Sequence, residues 1–212
     1  MMLKDKVALV TGGTSGIGRA TAIAYAQQQA KVVVVGRRMD EGEETVRLIK
    51  EAGGEAIFVQ ADVIKEADVK AMVDKAVSVF GRLDIAFNNA GTIGENPSLI
   101  EQTEAEYDRT MNVNIKGVWL SMKYEIAQML KQGSGSIVNT ASANGVVAFP
   151  TFPLYTASKH IDGFSVLHRE QKSVLNEFIT FAAVCLAAPW SLCRRPFTLY
   201  LNHDRFTIDI HS

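Results

Sequence analysis

The chain has 212 residues, 47% of them hydrophobic and 21% charged, enough apolar material for one core, and the reading is a single domain over 1–212. Its 22 basic and 23 acidic side chains nearly cancel and the basic ones are scattered, which argues against a nucleic-acid or membrane-surface binder and for a small-molecule partner. Cys185 and Cys193 have no CxxC spacing and no paired histidine, so neither a metal site nor a disulfide framework is read; reduced thiols in the cytoplasm are expected.

The N-terminal "MMLKDKVALV" runs almost at once into an apolar strand and shows no long apolar stretch ahead of a small-residue cleavage site, so no export signal is read there. After the strand "VALVT" comes "TGGTSGIG", Thr11 to Gly18, opening the helix "IGRATAIAYAQQQA". Gly12, Gly16 and Gly18 form a GxxxGxG variant of the dinucleotide fingerprint, in which glycines let backbone N–H groups approach a pyrophosphate at a helix N-terminus. Thr14, Ser15 and Ile17 join them as candidate cofactor contacts, while a plain turn between strand and helix is the competing reading.

The second strand ends "VVVVGRRMD". A carboxylate at this point would bind a ribose 2′-hydroxyl and select NAD, but Gly36 stands there, followed by Arg37 and Arg38. A guanidinium can bind a 2′-phosphate, which points to NADP(H) with NAD(H) as the other option; the alternative is two solvated loop arginines.

Beyond the third strand, "EAIFVQ", Asp62 and Val63 are placed to meet an adenine ring, and Asp62 reads equally as a helix N-cap. "LDIAFN" leads to "NNAG", whose Asn89, Ala90 and Gly91 fall where the carboxyl ends of parallel strands form a ligand crevice. "GSIVNTAS" supplies a fifth strand. Apolar β-branched runs alternate with amphipathic stretches such as "EADVKAMVDKAVSVFG", the rhythm of an α/β, doubly wound parallel sheet. Finally "YTASK" sets the Tyr155 phenol and the Lys159 ammonium one helical turn apart.

Taken together, "TGGTSGIG", "NNAG", "NVNIKG", "GSIVNTASA" and "YTASK", in that order over about residues 3–163, resemble the short-chain dehydrogenase/reductase family. The resemblance implies a Rossmann-like fold and a reversible hydride transfer between an alcohol and a ketone or aldehyde. It assigns Tyr155 as general acid or base and Ser142 as the hydrogen-bond partner of the substrate oxygen. Lys159 takes two roles, lowering the phenol pKa and binding the nicotinamide ribose, and Asn114 keeps a water in line for proton relay. A homo-oligomer, dimer or tetramer, is also implied.

The end of the chain departs from that pattern. None of the 16 glycines falls after Gly163, whereas all four histidines fall after Lys159. "FITFAAVCLAAPW" can serve as a sixth strand, but Trp190 stands where the family pattern has glycine, and no last strand with its glycine turn is recognisable over 164–212. A shifted reading frame or replaced gene end is therefore one expectation, with a catalytically impaired dinucleotide-binding protein as the alternative function.

Overall fold

Strand formation tracks the runs of β-branched residues, which favour a pleated surface that is buried on both faces. The computed structural model describes residues 2–95, 98–148 and 151–161, together with the backbone of three strands beyond them. In chain order it contains β1 (Val7–Thr11), α1 (Gly16–Gln27), β2 (Lys31–Gly36), α2 (Met39–Glu51), β3 (Glu55–Gln60), α3 (Glu66–Phe80), β4 (Ile85–Asn88), α4 (Glu104–Met111), α5 (Gly117–Gln132), β5 (Ser136–Ser142), α6 (Pro153–Ile161) and β6 (Thr180–Cys185). The last two strands, β7 (Phe197–Leu201) and β8 (Asp204–Ile208), form an antiparallel pair.

The six-stranded sheet has the order β3-β2-β1-β4-β5-β6 and is parallel throughout, as the alternation of strand and helix patterns predicts. Alternate residues feed opposite layers, because side chains project to opposite faces of a strand. Ala8, Val10, Val32, Val34 and Phe87 pack with Ala22, Tyr25, Val46 and Ile49 of α1 and α2. Leu9, Val33, Val35 and Ala86 pack with Val69, Met72, Leu120 and Met129 of α3 and α5. The direction of strand order reverses between β1 and β4, which opens a crevice at their carboxyl ends.

Two details depart from the expectations of the sequence, and a third is not marked in it. The fourth strand begins at Ile85, two residues after Leu83, because Asp84 is engaged as a clasp: its Oδ2 accepts from Val7 N at 3.0 Å and it pairs with Arg82. Asp62 is not an N-cap; α3 starts at Glu66 with Lys65 in the cap position, and Asp62 Oδ1 accepts from Ile64 N in a local turn. Finally, α4 runs on through a π-helical turn, Asn112–Lys116, into α5, with helical backbone angles at both junctions.

The sixth strand expected from "FITFAAVCLAAPW" is present as β6, with Ile137 paired to Thr180 and Ser142 to Cys185. Gly163, Pro189 and Trp190 lie outside the described residues.

Candidate functional site

At the crevice lies a cavity of about 450 Å³. Gly12, Thr14 and Ser15 line it from the β1–α1 loop, and Gly36, Arg37 and Arg38 from the end of β2. Asp62 and Val63 face it after β3, and Asn89, Ala90, Gly91 and Thr92 after β4, with Arg109 and Val113 on the α4 side.

The glycine-rich loop is shaped by close packing. Gly12 has φ 65°, a left-handed conformation that favours glycine, and a Cβ on Gly18 would lie far inside contact distance of Gly12 O and against Asn89 Nδ2. The first turn of α1 carries no acidic residue, and Ser15 makes no side-chain capping bond, so the partial positive charge of the helix start faces the loop uncompensated. Arg38 reaches back over this loop, donating from Nη2 to Thr14 Oγ1 at 3.2 Å and to Ser15 Oγ at 2.8 Å, and it pairs with Glu41 at 3.0 Å. Gly36 is closed off by the Thr14 methyl, into which any Cβ would project, so a carboxylate is sterically opposed as well as absent there.

The "NNAG" segment hangs from β1. Thr11 Oγ1 accepts from Asn89 N and Ala90 N at 3.0 and 3.1 Å, and Asn89 Nδ2 donates to Thr11 O. These bonds set the wall where the sequence motif places it.

A second group of side chains stands beside the cavity. Asn114, fully buried in the π-helical turn, accepts from Thr92 N at 2.8 Å and donates to Thr92 O and to Ser158 Oγ, both at 2.9 Å. Ser158 donates to Tyr155 O at 2.8 Å. The Lys159 ammonium donates to Thr140 O at 2.9 Å and lies 5.9 Å from the centroid of the half-buried Tyr155 ring. Thr140 Oγ1 in turn donates to Asn89 Oδ1 at 3.3 Å. Ser142, buried at the end of β5, accepts from Asn144 N, and Asn144 Nδ2 donates to Thr156 Oγ1 at 2.8 Å. Two chains of bonds thus tie the cavity wall to α6, one from Asn89 through Thr140 to Lys159 and one from Thr92 through Asn114 and Ser158 to Tyr155.

Gly12, Thr14, Ser15, Arg37, Arg38, Asp62, Val63, Asn89, Ala90 and Gly91 therefore converge on the cavity, whereas Gly16, Ile17 and Gly18 lie behind it in the first turn of α1. Ser142, Tyr155 and Lys159 are not among its lining residues. The sequence alone does not single out Thr92, Arg109, Thr140, Asn144 or Ser158; of these, Thr140 sits inside the motif "GSIVNTASA" and Ser158 inside "YTASK".

The family model described as short chain dehydrogenase matches residues 6–188, reaching past the 3–163 span marked by the motifs and taking in β6. The chain belongs to the short-chain dehydrogenase family. It is 45% identical over 159 residues to an uncharacterized oxidoreductase of Thermotoga maritima, covering 75% of this chain and 62% of that protein. It is 42% identical over 156 residues to cyclohexanol dehydrogenase of an Acinetobacter strain, covering 74% and 62%. The chain thus spans less than two thirds of the length of these relatives. Among solved structures, a short-chain dehydrogenase/reductase from Burkholderia phymatum in complex with NAD superposes with a TM-score of 0.83 at 32% identity, covering 89% of this chain and 68% of that one. NAD+-bound xylitol dehydrogenase superposes with a TM-score of 0.73 at 33% identity, covering 76% and 62%.

Proposed function

We propose that this short-chain dehydrogenase interconverts an alcohol and a ketone or aldehyde and prefers NADP(H) to NAD(H). The observation that carries the cofactor preference is the end of β2, where Arg37 and Arg38 line the cavity and Gly36 takes the place of an acid. Two guanidinium groups there favour a 2′-phosphate through charge-assisted, bidentate hydrogen bonds. The glycine loop fits the pyrophosphate, since Gly12 turns the backbone at the cavity and Gly18 lets the start of α1 close on it.

When bound, the nicotinamide supplies or accepts the hydride. The chain's own task is to place the substrate oxygen and handle its proton. Tyr155 Oη gives the proton to that oxygen in reduction and takes it back in oxidation. Lys159 places positive charge beside the Tyr155 ring. Ser142 offers a hydroxyl to the same oxygen, and Asn114 fixes the distance between the Thr92 wall and the Ser158 turn of α6.

Two relatives support ring alcohols as a substrate class, since one is a cyclohexanol dehydrogenase and another, 42% identical, a 2,5-dichloro-2,5-cyclohexadiene-1,4-diol dehydrogenase. The cofactor assignment is tested by titrating the purified chain with NADPH and NADH and monitoring fluorescence and the melting temperature together. Tighter NADPH binding with a raised transition supports the proposal; equal or tighter NADH binding overturns the preference, as the NAD-bound neighbours would suggest.

A second reading is favoured by the sequence after Gly163, which lacks every glycine of the family pattern. On that reading the chain binds the dinucleotide but turns over poorly, its substrate region replaced through a shifted frame. The coding DNA tests the origin: a single insertion or deletion near codon 163 that restores a family-like ending supports it, and the absence of one overturns the frameshift.

A further inference from the structure

Glu125 lies on the buried face of α5 with Leu120, Met122 and Met129 and is fully buried. Its Oε2 accepts from Asn88 Nδ2 at 2.9 Å, and Asn88 spends its second amide N–H on Asn139 Oδ1 at 3.1 Å. These two donations fix which way the Asn88 amide points. Among the described residues they leave two buried acceptors without a partner, Asn88 Oδ1 and Glu125 Oε1, on side chains already joined to each other. An ionised carboxylate has no hydrogen to offer, whereas a carboxylic acid has one. An unpaired buried acceptor is costly, so a single proton relieves both.

We infer that Glu125 is carried as an uncharged carboxylic acid whose Oε1–H donates to Asn88 Oδ1, making a reciprocal acid–amide pair that ties the end of β4 to α5. Asn88 is the last residue of β4, and the next two, Asn89 and Ala90, wall the cavity. Glu125 is thus a positioning residue for that wall, a role that rests on the proposed binding of a dinucleotide.

The surroundings favour the neutral form. Burial raises the Glu125 carboxyl to about 7, opposed in smaller part by the Asn88 bond. From β4 it meets the neutral Asn88, which donates in turn to the neutral Asn139 of β5, and Asn139 donates to Met122 Sδ. Charged groups of the neighbouring elements are engaged elsewhere or lie exposed, as Lys75 and Lys131 do. Glu66 of α3 accepts from Lys123 and Tyr124 of α5 at the surface, Lys70 pairs with Asp74, and Asp84 ahead of β4 pairs with Arg82. On α6, Lys159 donates to Thr140 O.

A raised carboxyl gives the pH dependence a definite sign. The folded chain holds a proton that the unfolded chain releases near 4.5, so this contribution is full below 4.5 and lost as the pH rises through about 7. Across that window the unfolding constant rises with pH through this group.

The test compares the native chain with Glu125→Gln and Glu125→Ala. Gln carries an N–H donor and a carbonyl in place of the acid's O–H and carbonyl, so it mimics the neutral pair, while Ala leaves Asn88 unmatched. The inference expects an infrared carboxylic-acid C=O band at pH 6 that is absent from Glu125→Gln. It also expects a flatter stability profile from pH 5 to 8 in Glu125→Gln. NADPH affinity should fall roughly tenfold in Glu125→Ala and be rescued by Gln to within about twofold. No acid band, an ionised Glu125 with an ordered water between the two acceptors, or a Gln variant as impaired as Ala would overturn it. A native chain that binds neither dinucleotide overturns the dinucleotide reading and the positioning role with it, while the band and the pH profile still decide the protonation of Glu125. Should Glu125→Ala fail to fold, those two readouts and the Gln affinity remain decisive.

Discussion

Arg38 makes two kinds of contact at once, bracing the glycine loop through Thr14 and Ser15 and presenting charge to the cavity. The two can be separated. Arg38→Ala should weaken NADPH binding by about 10- to 100-fold, the range of charge-assisted hydrogen bonds, and NADH binding by less than about threefold. Equal losses for both dinucleotides in the titration would make Arg38 a loop brace only. Another residue-level feature is the Tyr25 hydroxyl of α1, buried without a partner among the described residues and with its ionisation pushed far above the usual phenol range by burial. Tyr25→Phe removes an unsatisfied group at no cost in packing and should raise the unfolding free energy by about 1 kcal/mol in urea titrations; a loss of stability would reveal a bond to that hydroxyl. At this scale the sequence announces residues whose chemistry is local. The glycine fingerprint, Arg37 and Arg38 are meaningful within a few positions of the chain. Ser158 and Thr140 are not, because they act through contacts such as Asn114 to Ser158, 44 positions apart, which only the fold brings together.

Among the elements, strands are the most legible. Runs such as "KVVVV" and "EAIFVQ" are found as β2 and β3 with the bounds their composition suggests. Helix ends are less so: α1 stops without glycine, the chain turning instead at Gln29 with φ 68°. The π-helical turn at Asn112–Lys116 is hidden too, since "NVNIK" contains neither glycine nor proline to mark a change of pitch. That turn seats Asn114 between Thr92 and Ser158, in keeping with the frequent use of such turns at functional sites. One close element contact is α1 on the β1 loop. Gly18→Ala would drive a methyl into Gly12 O and Asn89 Nδ2, and is expected to cost about 1–3 kcal/mol in thermal or urea unfolding, with loss of dinucleotide binding. Unchanged binding in this variant would mean that the loop is not the pyrophosphate cradle.

For the whole molecule, the order of strands is inferable because parallel pairing with right-handed crossovers leaves few topologies. The region after α6 is not legible in the same way, because its pattern lacks the glycines that mark turns in the body of the chain. The sheet does gain β6, whereas β7 and β8 pair with each other in a separate two-stranded sheet. The central question at this scale is whether cofactor wall, β5 and α6 act as one catalytic unit. It is answered most directly by supplying NADP+ and cyclic secondary alcohols to the native chain and to Tyr155→Phe, and recording NADPH formation by absorbance. The account predicts turnover in the native chain and a loss of roughly 10²- to 10⁴-fold in Tyr155→Phe with NADPH binding retained. A native chain that binds NADPH tightly yet forms none from any of these alcohols, or a Tyr155→Phe variant as fast as the native chain, would contradict it.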